Sequence, residues 1–440
     1  MQQLPGENAP KNRILVKISI VAAIILVLLL PSYKVEQLVV EREARQKEAV
    51  DEVSNKWAGA QLLGGPMLVL PYVVNYTTPN GKPAQDRHYA YFLPTKLDMK
   101  AIAQPQERHR GIYKVMLYSA QVQMSGQFDI PDLSSLRITA DQVLWGEAFV
   151  RLHLSDVGGL NDELSLNWNG TRKLVFAPNT SSDPYSSSSL AAPLPLQGPM
   201  ELAPFSFSGN LQVNGSQQLL FAPLGKTTTV ELQSTWPHPS YTGAGLPQQS
   251  TITGKGFSAT WRSLAHRRNF PQQFRDGDRI NSSIYDLSSS AFGVDLFVPV
   301  NAYQKTLRSV KYSLLCIVLT FTAFFLIEVV NKRSVHPFQY GLIGLALVLF
   351  YALLLSFSEY IGFNFAYALS ALATFALIGW FVKGLLQSAR LSTLLSAVLV
   401  LLYGYVFTIL QLQDFALLLG SLGLFLTLAI VMYFSRKINW

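Results

Sequence analysis

The chain has 440 residues, which is more than one hydrophobic core usually organises, so at least two structural units are expected. Charged residues make up only 14% of the sequence and hydrophobic residues 49%, whereas an ordinary soluble domain is about 25% charged. The net charge is +8, but Lys and Arg form no stripe on one predicted face, which argues against a nucleic-acid partner. Most acidic residues precede residue 308, and the sequence from residue 313 onward is almost free of charge, which indicates a membrane protein.

The first apolar segment is ILVKISIVAAIILVLLLPSY, residues 14–33, which is long enough to cross a bilayer. Because no small-residue cleavage site follows it, we interpret it as a retained transmembrane anchor behind a short tail, residues 1–13. Residues 34–58 are rich in helix formers with mixed charges, and they predict a helical stalk that continues the anchor.

The middle of the chain, residues 59–308, alternates apolar and polar residues between turn signals, as in GIYKVMLYSAQVQMSGQFDI. Alternation with a period of two is typical of half-buried antiparallel strands, so a large sandwich-like β-rich domain is predicted. The tract NTSSDPYSSSSLAAPLPLQGP, residues 179–199, is polar and rich in proline, and it predicts a mobile loop.

Five more apolar runs predict a five-helix transmembrane bundle between residues 312 and 434, followed by a short tail, residues 435–440. The runs are 312–330, 339–357, 364–382, 391–411 and 414–434. The segment from Leu347 resembles the segment from Leu399, which would make two of the helical hairpins tandem copies. The alternative is that two leucine-rich helices resemble each other without any duplication.

The short loops predict the orientation, because Lys and Arg accumulate in cytoplasmic loops. Positive charges precede the first helix and also lie between helices two and three, between helices four and five, and after helix six. The short loops on the other side, SFSEYIGF and QLQD, contain none. Both termini are therefore predicted to be cytoplasmic and the β-rich domain to lie outside. The exceptions are Lys305, Arg308 and Lys311, which end a long exported segment, where this rule weakens.

One candidate site is the stretch STWPHPS, which contains Trp236, Pro237, His238 and Pro239. Each proline restricts the residue before it to extended backbone, so a rigid corner is predicted. The corner has either a purely structural role or presents its aromatic ring to a ligand or partner. Catalysis is disfavoured, because His238 has no metal-ligand spacing around it and the chain contains no G-x-S-x-G. We therefore predict no enzymatic activity, no metal and no cofactor.

Ionisable residues inside or beside the membrane are the second set of candidates, because each is costly there without a partner or a function. Glu328 precedes Lys332 by four residues, a favourable helical pair, and predicts a structural anchor near the cytoplasmic interface. Glu359 and Asp414 flank the outer ends of two helices, where we expect them to face interfacial water. The alternative for these carboxylates is a path for protons or a solute.

His336 lies in RSVHPFQYGL, a predicted tight cytoplasmic turn in which Pro337 stands near the start of a helix. The proline-set turn is the favoured interpretation, and a pH sensor is the alternative.

The order of these features resembles one family. An anchor helix, a β-rich domain with STWPHPS, then TFTAFFLIEV, HPFQYGLIGLALVLFYALLLSFSEYIGF, LYGYVFTILQLQDFALLLGS and a terminal INW are similar to the CreD family of bacterial inner-membrane proteins. The resemblance implies a bacterial inner membrane, a periplasmic β-rich domain, and a role in cell envelope integrity and in the response to cell-wall damage. It carries over no catalytic residue.

We expect a non-enzymatic envelope protein whose partners are membrane lipids and a cell-wall component or envelope protein. The rival hypothesis is a transporter or lipid-moving protein that uses the helical bundle. A membrane-bound hydrolase would need a nucleophile or a metal set that the sequence does not offer.

Overall fold

The computed structural model describes residues 9–178, 189–201, 204–276, 287–296, 302–330, 335–412 and 415–435. The chain divides into two compact units. The helical unit comprises Met1–Lys47 and Val300–Trp440, and the β-rich unit comprises Glu48–Pro299.

The helices in the described residues are α1 (Ala9–Trp57), α2 (Leu287–Ser290), α3 (Ala302–Lys311), α4 (Ser313–Val330), α5 (Pro337–Ile361), α6 (Phe363–Leu386), α7 (Ala389–Gln411) and α8 (Ala416–Ser435). The first of these runs through the predicted anchor and the predicted stalk as one helix. Ion pairs between residues four apart, such as Arg45 with Glu41 and Lys56 with Glu52, support its polar half.

Among the described residues, four helices are long and apolar enough to cross a membrane: Val16–Trp57, Pro337–Ile361, Phe363–Leu385 and Ala389–Gln411. The pair α3 and α4, bent by 44° relative to each other, makes a fifth if it counts as one span. The predicted order of an N-terminal apolar helix, a large β-rich domain and several apolar helices is confirmed. The number of six crossings stays a prediction, because the side chains of α8 are only partly described.

The boundary between the two units differs from the predicted one. The sequence placed the end of the β-rich domain at residue 308, but residues 302–311 form α3, which belongs to the helical unit. The reason is helical spacing: Tyr303, Thr306 and Val310 are buried on one face of the helix. Helical spacing over so few residues is hard to distinguish from the end of a strand pattern.

The strands are β1 (Gln61–Thr77), β2 (Pro83–Phe92), β3 (Lys96–Arg110), β4 (Tyr113–Phe128), β5 (Phe149–Leu154), β6 (Ser165–Trp168), β7 (Arg172–Val175), β8 (Ala177–Pro178), β9 (Ser189–Pro193), β10 (Phe205–Ser216), β11 (Gln218–Ala222), β12 (Thr227–Ser234), β13 (Pro239–Gly243), β14 (Gln249–Thr253), β15 (Gly256–Leu264), β16 (Gln273–Arg275) and β17 (Phe292–Leu296).

These strands form two sheets. Sheet A has the order β13-β17-β11-β1-β5-β9-β8, with β2 pairing to β1 and β16 to β2. Sheet B has the order β14-β15-β12-β3-β4-β10-β6-β7. Most pairings are antiparallel, as predicted, but β1 with β11 and β3 with β12 are parallel. The alternation of apolar residues does not reveal strand direction, and these parallel pairs join strands far apart in the chain.

The core of the β-rich unit lies between the sheets and joins buried side chains of both into one cluster. Trp168 lies at the centre of the aromatic packing in this core. Its ring centroid lies 5.5 Å from that of Phe128, 5.3 Å from that of Phe205 and 6.4 Å from that of Phe207. The alternation of apolar and polar residues in the sequence therefore corresponds to side chains that point alternately into this core and toward the surface.

The proline-rich tract is only partly outside the described structure. Residues 179–188 are not described, but Ser189–Pro193 is strand β9 of sheet A, paired with β5. Leu190 and Ala192 alternate into the core at 2% and 0% exposure. The prediction of a loop was wrong for this half, because the short alternation is hidden among serines and prolines.

Candidate functional site

The corner formed by residues 235–238 carries the chain from sheet B to sheet A, since β12 ends at Ser234 and β13 begins at Pro239. The indole N–H of Trp236 donates to the carbonyl oxygen of His238 at 2.9 Å, and the two rings meet edge-on at 6.1 Å. The backbone N–H of Trp236 donates to Oγ of Ser234 at 3.2 Å. Trp236 is half-buried against the core and His238 is exposed. The corner is thus stabilised by its own hydrogen bonds, and the imidazole of His238 is exposed to solvent.

A cleft of about 350 Å³ lies next to this corner and is lined by the middle of β3, the ends of β12 and β14 and the start of β15. Its lining includes Ile102, Gln104, Gln233, Thr251, Lys255 and Ser258. The volume is within the range of small-ligand sites, which is roughly 300–1,000 Å³. Seven of the twelve lining residues carry an amide or hydroxyl group, so the cleft can both donate and accept hydrogen bonds.

Gly256 shapes the floor of the cleft. It has φ of +140°, and a Cβ at this position would lie 2.8 Å from the Cα of Thr235. Such a backbone conformation and such a close approach require glycine. The turn before β15 therefore packs directly on the first residue of the corner.

The outward face of sheet B extends from the cleft as a polar surface. On β4 the exposed positions from residue 121 onward are Gln121, Gln123, Ser125 and Gln127, while the residues between them are buried or half-buried. The neighbouring strand β10 continues this pattern, with Asn210 directly opposite Gln123. This face therefore carries uncharged side chains that each donate and accept hydrogen bonds.

Charged side chains on the same face pair with each other. Lys96 lies 2.8 Å from Asp98, and Lys100 lies 3.3 Å from Glu231 on the adjacent strand β12. Because each of these two lysines has a negative neighbour, the face has little net charge around these pairs. Such a surface suits a neutral polar ligand better than a polyanion.

Arg151 and His153 on β5 are candidates that the sequence analysis missed. Arg151 is 2% exposed, and its guanidinium lies 5.6 Å from the ring centroid of Tyr91. Burial and the nearby positive charge of Arg151 lower the pKa of His153 to about 4. The signal in the sequence is FVRLHL, where an arginine and a histidine replace apolar residues on one face of a buried strand.

Arg268 is a second buried cation in the β-rich unit. Its guanidinium donates to the carbonyl oxygen of Pro223 at 2.9 Å and to Oε1 of Gln272 at 2.5 Å, and burial lowers its pKa to about 10. The amide of Gln272 in turn donates to the carbonyl oxygens of Leu93 and Pro94. Because three of these four bonds satisfy the backbone carbonyls of Pro223, Leu93 and Pro94, this arrangement is structural.

Glu328 lies in a buried polar cluster of the helical unit, at 4% exposure. Its carboxylate pairs with the ammonium of Lys17 on α1, and it accepts from the hydroxyl of Tyr340 at 2.7 Å and from the backbone N–H of Val335 at 2.9 Å. Lys17 also donates to the carbonyl oxygen of Val335 at 2.8 Å. The expected partner, Lys332, lies outside the described residues. The carboxylate thus connects α1, α4 and the start of α5.

Glu359 does not face interfacial water as expected. Its side chain is 9% exposed, and it accepts from the hydroxyl of Tyr303 on α3 at 3.1 Å, with Nε of Arg42 on α1 at 3.8 Å. The correction has a simple cause: α3 and α1 pack beside the end of α5, which the sequence could not reveal. Asp414, the other predicted carboxylate, lies outside the described residues.

His336 caps the start of α5, and Pro337 is the first residue of that helix. Nδ1 of His336 accepts from the backbone N–H of Phe338 at 3.2 Å, and the backbone N–H of His336 donates to Oε1 of Gln339 at 3.0 Å. This reciprocal cap satisfies backbone groups that have no partner within the helix. The start of α5 at Pro337 agrees with the predicted helix start, and residues 333–334 of the predicted turn lie outside the described residues.

Comparison with known proteins places these features in a family. The family model for the inner membrane protein CreD matches residues 13–440. The chain is also 31% identical over 419 residues to the protein named Inner membrane protein CreD of Escherichia coli (strain K12), over 94% of this chain and 91% of that protein. Several apolar helices agree with a multi-pass inner-membrane protein. The chain therefore belongs to the CreD family of inner membrane proteins.

Proposed function

We propose that this protein supports the integrity of the cell envelope from the inner membrane by binding an envelope component, without catalysing a reaction. The observation that carries the proposal is the cleft beside the 235–238 corner and the neutral polar face that extends from it on sheet B. The β-rich unit lies on the periplasmic side, where such a component is found, and both termini lie in the cytoplasm.

The ligand that fits this surface is an uncharged carbohydrate chain of the cell wall. Sugar hydroxyls donate and accept hydrogen bonds, as do Gln104, Gln233 and Ser258 in the cleft. The exposed side chain of Ile102 supplies an apolar contact for one face of a sugar ring. The paired charges on β3 leave little net charge to attract a polyanion.

A binding experiment tests the proposal. The full-length protein in detergent is mixed with purified, insoluble cell-wall glycan, and the pelleted fraction is measured. The variant Gln233→Ala/Ser258→Ala removes two hydrogen-bonding groups, each worth about 1 kcal/mol, so affinity is expected to fall by roughly 10-fold or more. The matched control Gln85→Ala removes an exposed amide from β2 in sheet A, outside the proposed binding face, and should bind like the parent. Equal binding by all three proteins contradicts the proposal.

The side of the membrane is tested with a single cysteine. Cys316 is the only cysteine of the chain and is buried, so Cys316→Ser with His238→Cys places one reactive thiol at an exposed position. A membrane-impermeant maleimide added to intact spheroplasts should label it. Labelling only after the membrane is disrupted would put this residue in the cytoplasm and would refute the periplasmic assignment.

Transport through the helical unit is the second candidate, because two carboxylates lie mostly buried among its helices, where charge is costly. Glu328→Gln and Glu359→Gln test it in a strain that lacks the chromosomal gene and is challenged with a cell-wall inhibitor. Loss of protection, with the protein still present in the membrane, would favour ion-coupled transport. Full protection by both variants removes the main support for it.

A further inference from the structure

Helix α3 carries a surface that the proposed function does not use. Its packed face is fixed against the helical unit: Tyr303 bonds to Glu359, and Lys305 donates to Oε1 of Gln411 at 3.1 Å and lies 5.6 Å from the ring centroid of Phe363. The opposite face is exposed. The orientation of α3 on this unit is therefore set by contacts on one side only.

Two cations occupy the exposed face of α3. Arg308 and Lys311 are both exposed, and neither is paired with an acidic residue in the part of the chain that the structure describes. The carboxylate of Glu359 nearby is already engaged by Tyr303 and Arg42. The positive charge on this face is therefore uncompensated within the described protein.

An exposed apolar stripe on α4 begins directly after these two cations in the sequence. Leu314 and Val318 are 44% and 37% exposed. In the sequence, Lys311 follows Arg308 by three residues, Leu314 follows Lys311 by three, and Val318 follows Leu314 by four. Such spacings place Arg308 and Lys311 on one face of α3, and Leu314 and Val318 on one face of α4. The bend of 44° between α3 and α4 lies at the point where cations give way to apolar residues.

The distances along the helix axes are comparable to the depth of a bilayer interface. Lys311 and Arg308 precede Leu314 by about 4.5 Å and 9 Å of helix at a rise of roughly 1.5 Å per residue. The headgroup layer on each side of a bilayer is about 5–8 Å deep. Long basic side chains also extend from an apolar boundary toward phosphate groups.

We propose that Arg308 and Lys311 bind the phosphate of an anionic phospholipid whose acyl chains lie along Leu314 and Val318. This phospholipid lies in the leaflet at the N-terminal end of α4. An anionic headgroup is favoured over a zwitterionic one, because a zwitterionic headgroup brings its own cation to a face that already has two. A lipid is favoured over a free phosphate ion, because the apolar stripe begins within one turn of Lys311. This site also explains why Arg308 and Lys311 occur on the predicted outer side of the membrane, where short loops contain few Lys and Arg residues.

Native mass spectrometry of the full-length protein in detergent, titrated with phosphatidylglycerol or phosphatidylcholine, tests the site. The parent protein should bind phosphatidylglycerol more tightly, and Arg308→Gln/Lys311→Gln should bind it roughly 25-fold more weakly, or about 5-fold for each cation. The matched control Lys383→Gln/Arg390→Gln removes two exposed cations near the ends of α6 and α7, and should stay within about 2-fold of the parent. The charge-conserving variant Arg308→Lys/Lys311→Arg should retain binding, which separates loss of charge from loss of folding.

Three results would overturn the proposal: unchanged affinity in the double glutamine variant, an equal loss in the control variant, or equal affinity of the parent for both lipids. A competition experiment distinguishes a lipid site from a site for free phosphate. Soluble glycerol phosphate is added to the lipid-bound protein at the same concentration as the lipid. Failure to displace the lipid supports a lipid site, whereas complete displacement would identify a site for free phosphate and refute the assignment. None of these outcomes depends on glycan binding by the β-rich unit.

Discussion

In the β-rich unit, the buried cations lie beside aromatic rings and backbone carbonyls, whereas in the helical unit the buried carboxylates are held by cations and hydroxyls from other helices. Arg151 contacts the ring of Tyr91, and Arg268 donates to carbonyl oxygens between strands. Glu328 and Glu359, in contrast, each join α1 to other helices of their unit.

The difference follows from what each environment supplies. A large two-sheet core offers many apolar contacts, so the β-rich unit does not depend on any one polar group. Apolar burial contributes little between helices in lipid, because the lipid is apolar as well, so packing and specific polar contacts determine how helices associate. The helical unit should therefore be sensitive to single polar changes, and the β-rich unit to loss of core volume.

The largest effect is expected in the aromatic core of the β-rich unit. Trp168→Ala removes a ring that is 2% exposed and packs against three phenylalanines, so the unit should lose about 4 kcal/mol of unfolding free energy. Chemical denaturation of the full-length protein, followed by tryptophan fluorescence, measures this. Trp236→Ala, at the half-buried corner, is the matched control and should cost about 1 kcal/mol. A larger loss at Trp236 would mean that the corner, and not the core, stabilises this unit.

A somewhat smaller effect is expected at the Lys17 and Glu328 pair. Glu328→Ala leaves the ammonium of Lys17 without its carboxylate, and should destabilise the helical unit by about 3 kcal/mol, measured by thermal unfolding in nanodiscs. The double change Lys17→Met/Glu328→Met removes both charges and should recover most of the loss. If the double variant is the less stable of the two, the pair is not the cause of the sensitivity.

The stability of the β-rich unit should depend on pH through His153. Its pKa is about 4 in the folded protein, below the value of about 6.5 in the unfolded chain, so the unfolded state binds more protons between these values. Stability is therefore full above pH 6.5 and decreases as the pH falls toward 4, with a loss of about 2 kcal/mol between pH 7 and pH 5. Denaturation of the parent and of His153→Gln at both pH values measures this. An equal pH dependence in both proteins would contradict the assignment to this side chain.

The smallest effect is expected at Glu359. Glu359→Gln keeps a hydrogen-bond acceptor for Tyr303 but removes the charge opposite Arg42, whose side chain is 43% exposed, so a loss of about 1 kcal/mol is expected. A double-mutant cycle with Arg42→Gln measures the coupling by thermal unfolding. A coupling energy near zero would show that Tyr303 alone holds the carboxylate.

Periodicity in the sequence determined which faces are buried. The alternation through β3 and β4 predicted strands, the apolar runs predicted α5 to α7, and the dipeptide His336-Pro337 predicted the start of α5. Each of these is a local property, because a residue and its neighbours within one or two turns share one element. The rigid corner at Trp236 was also a local prediction, since proline restricts the backbone on its own.

Tertiary structure alone decided which distant residues meet. It paired β3 with β12, placed α3 in the helical unit, brought Lys17 to Glu328 and turned Glu359 toward Tyr303. The corner became a connection between two sheets only because β12 and β13 belong to different ones. Lys17 and Glu328 are 311 residues apart, and a local pattern cannot specify a partner at that separation, because it reports burial and not the identity of what buries the side chain.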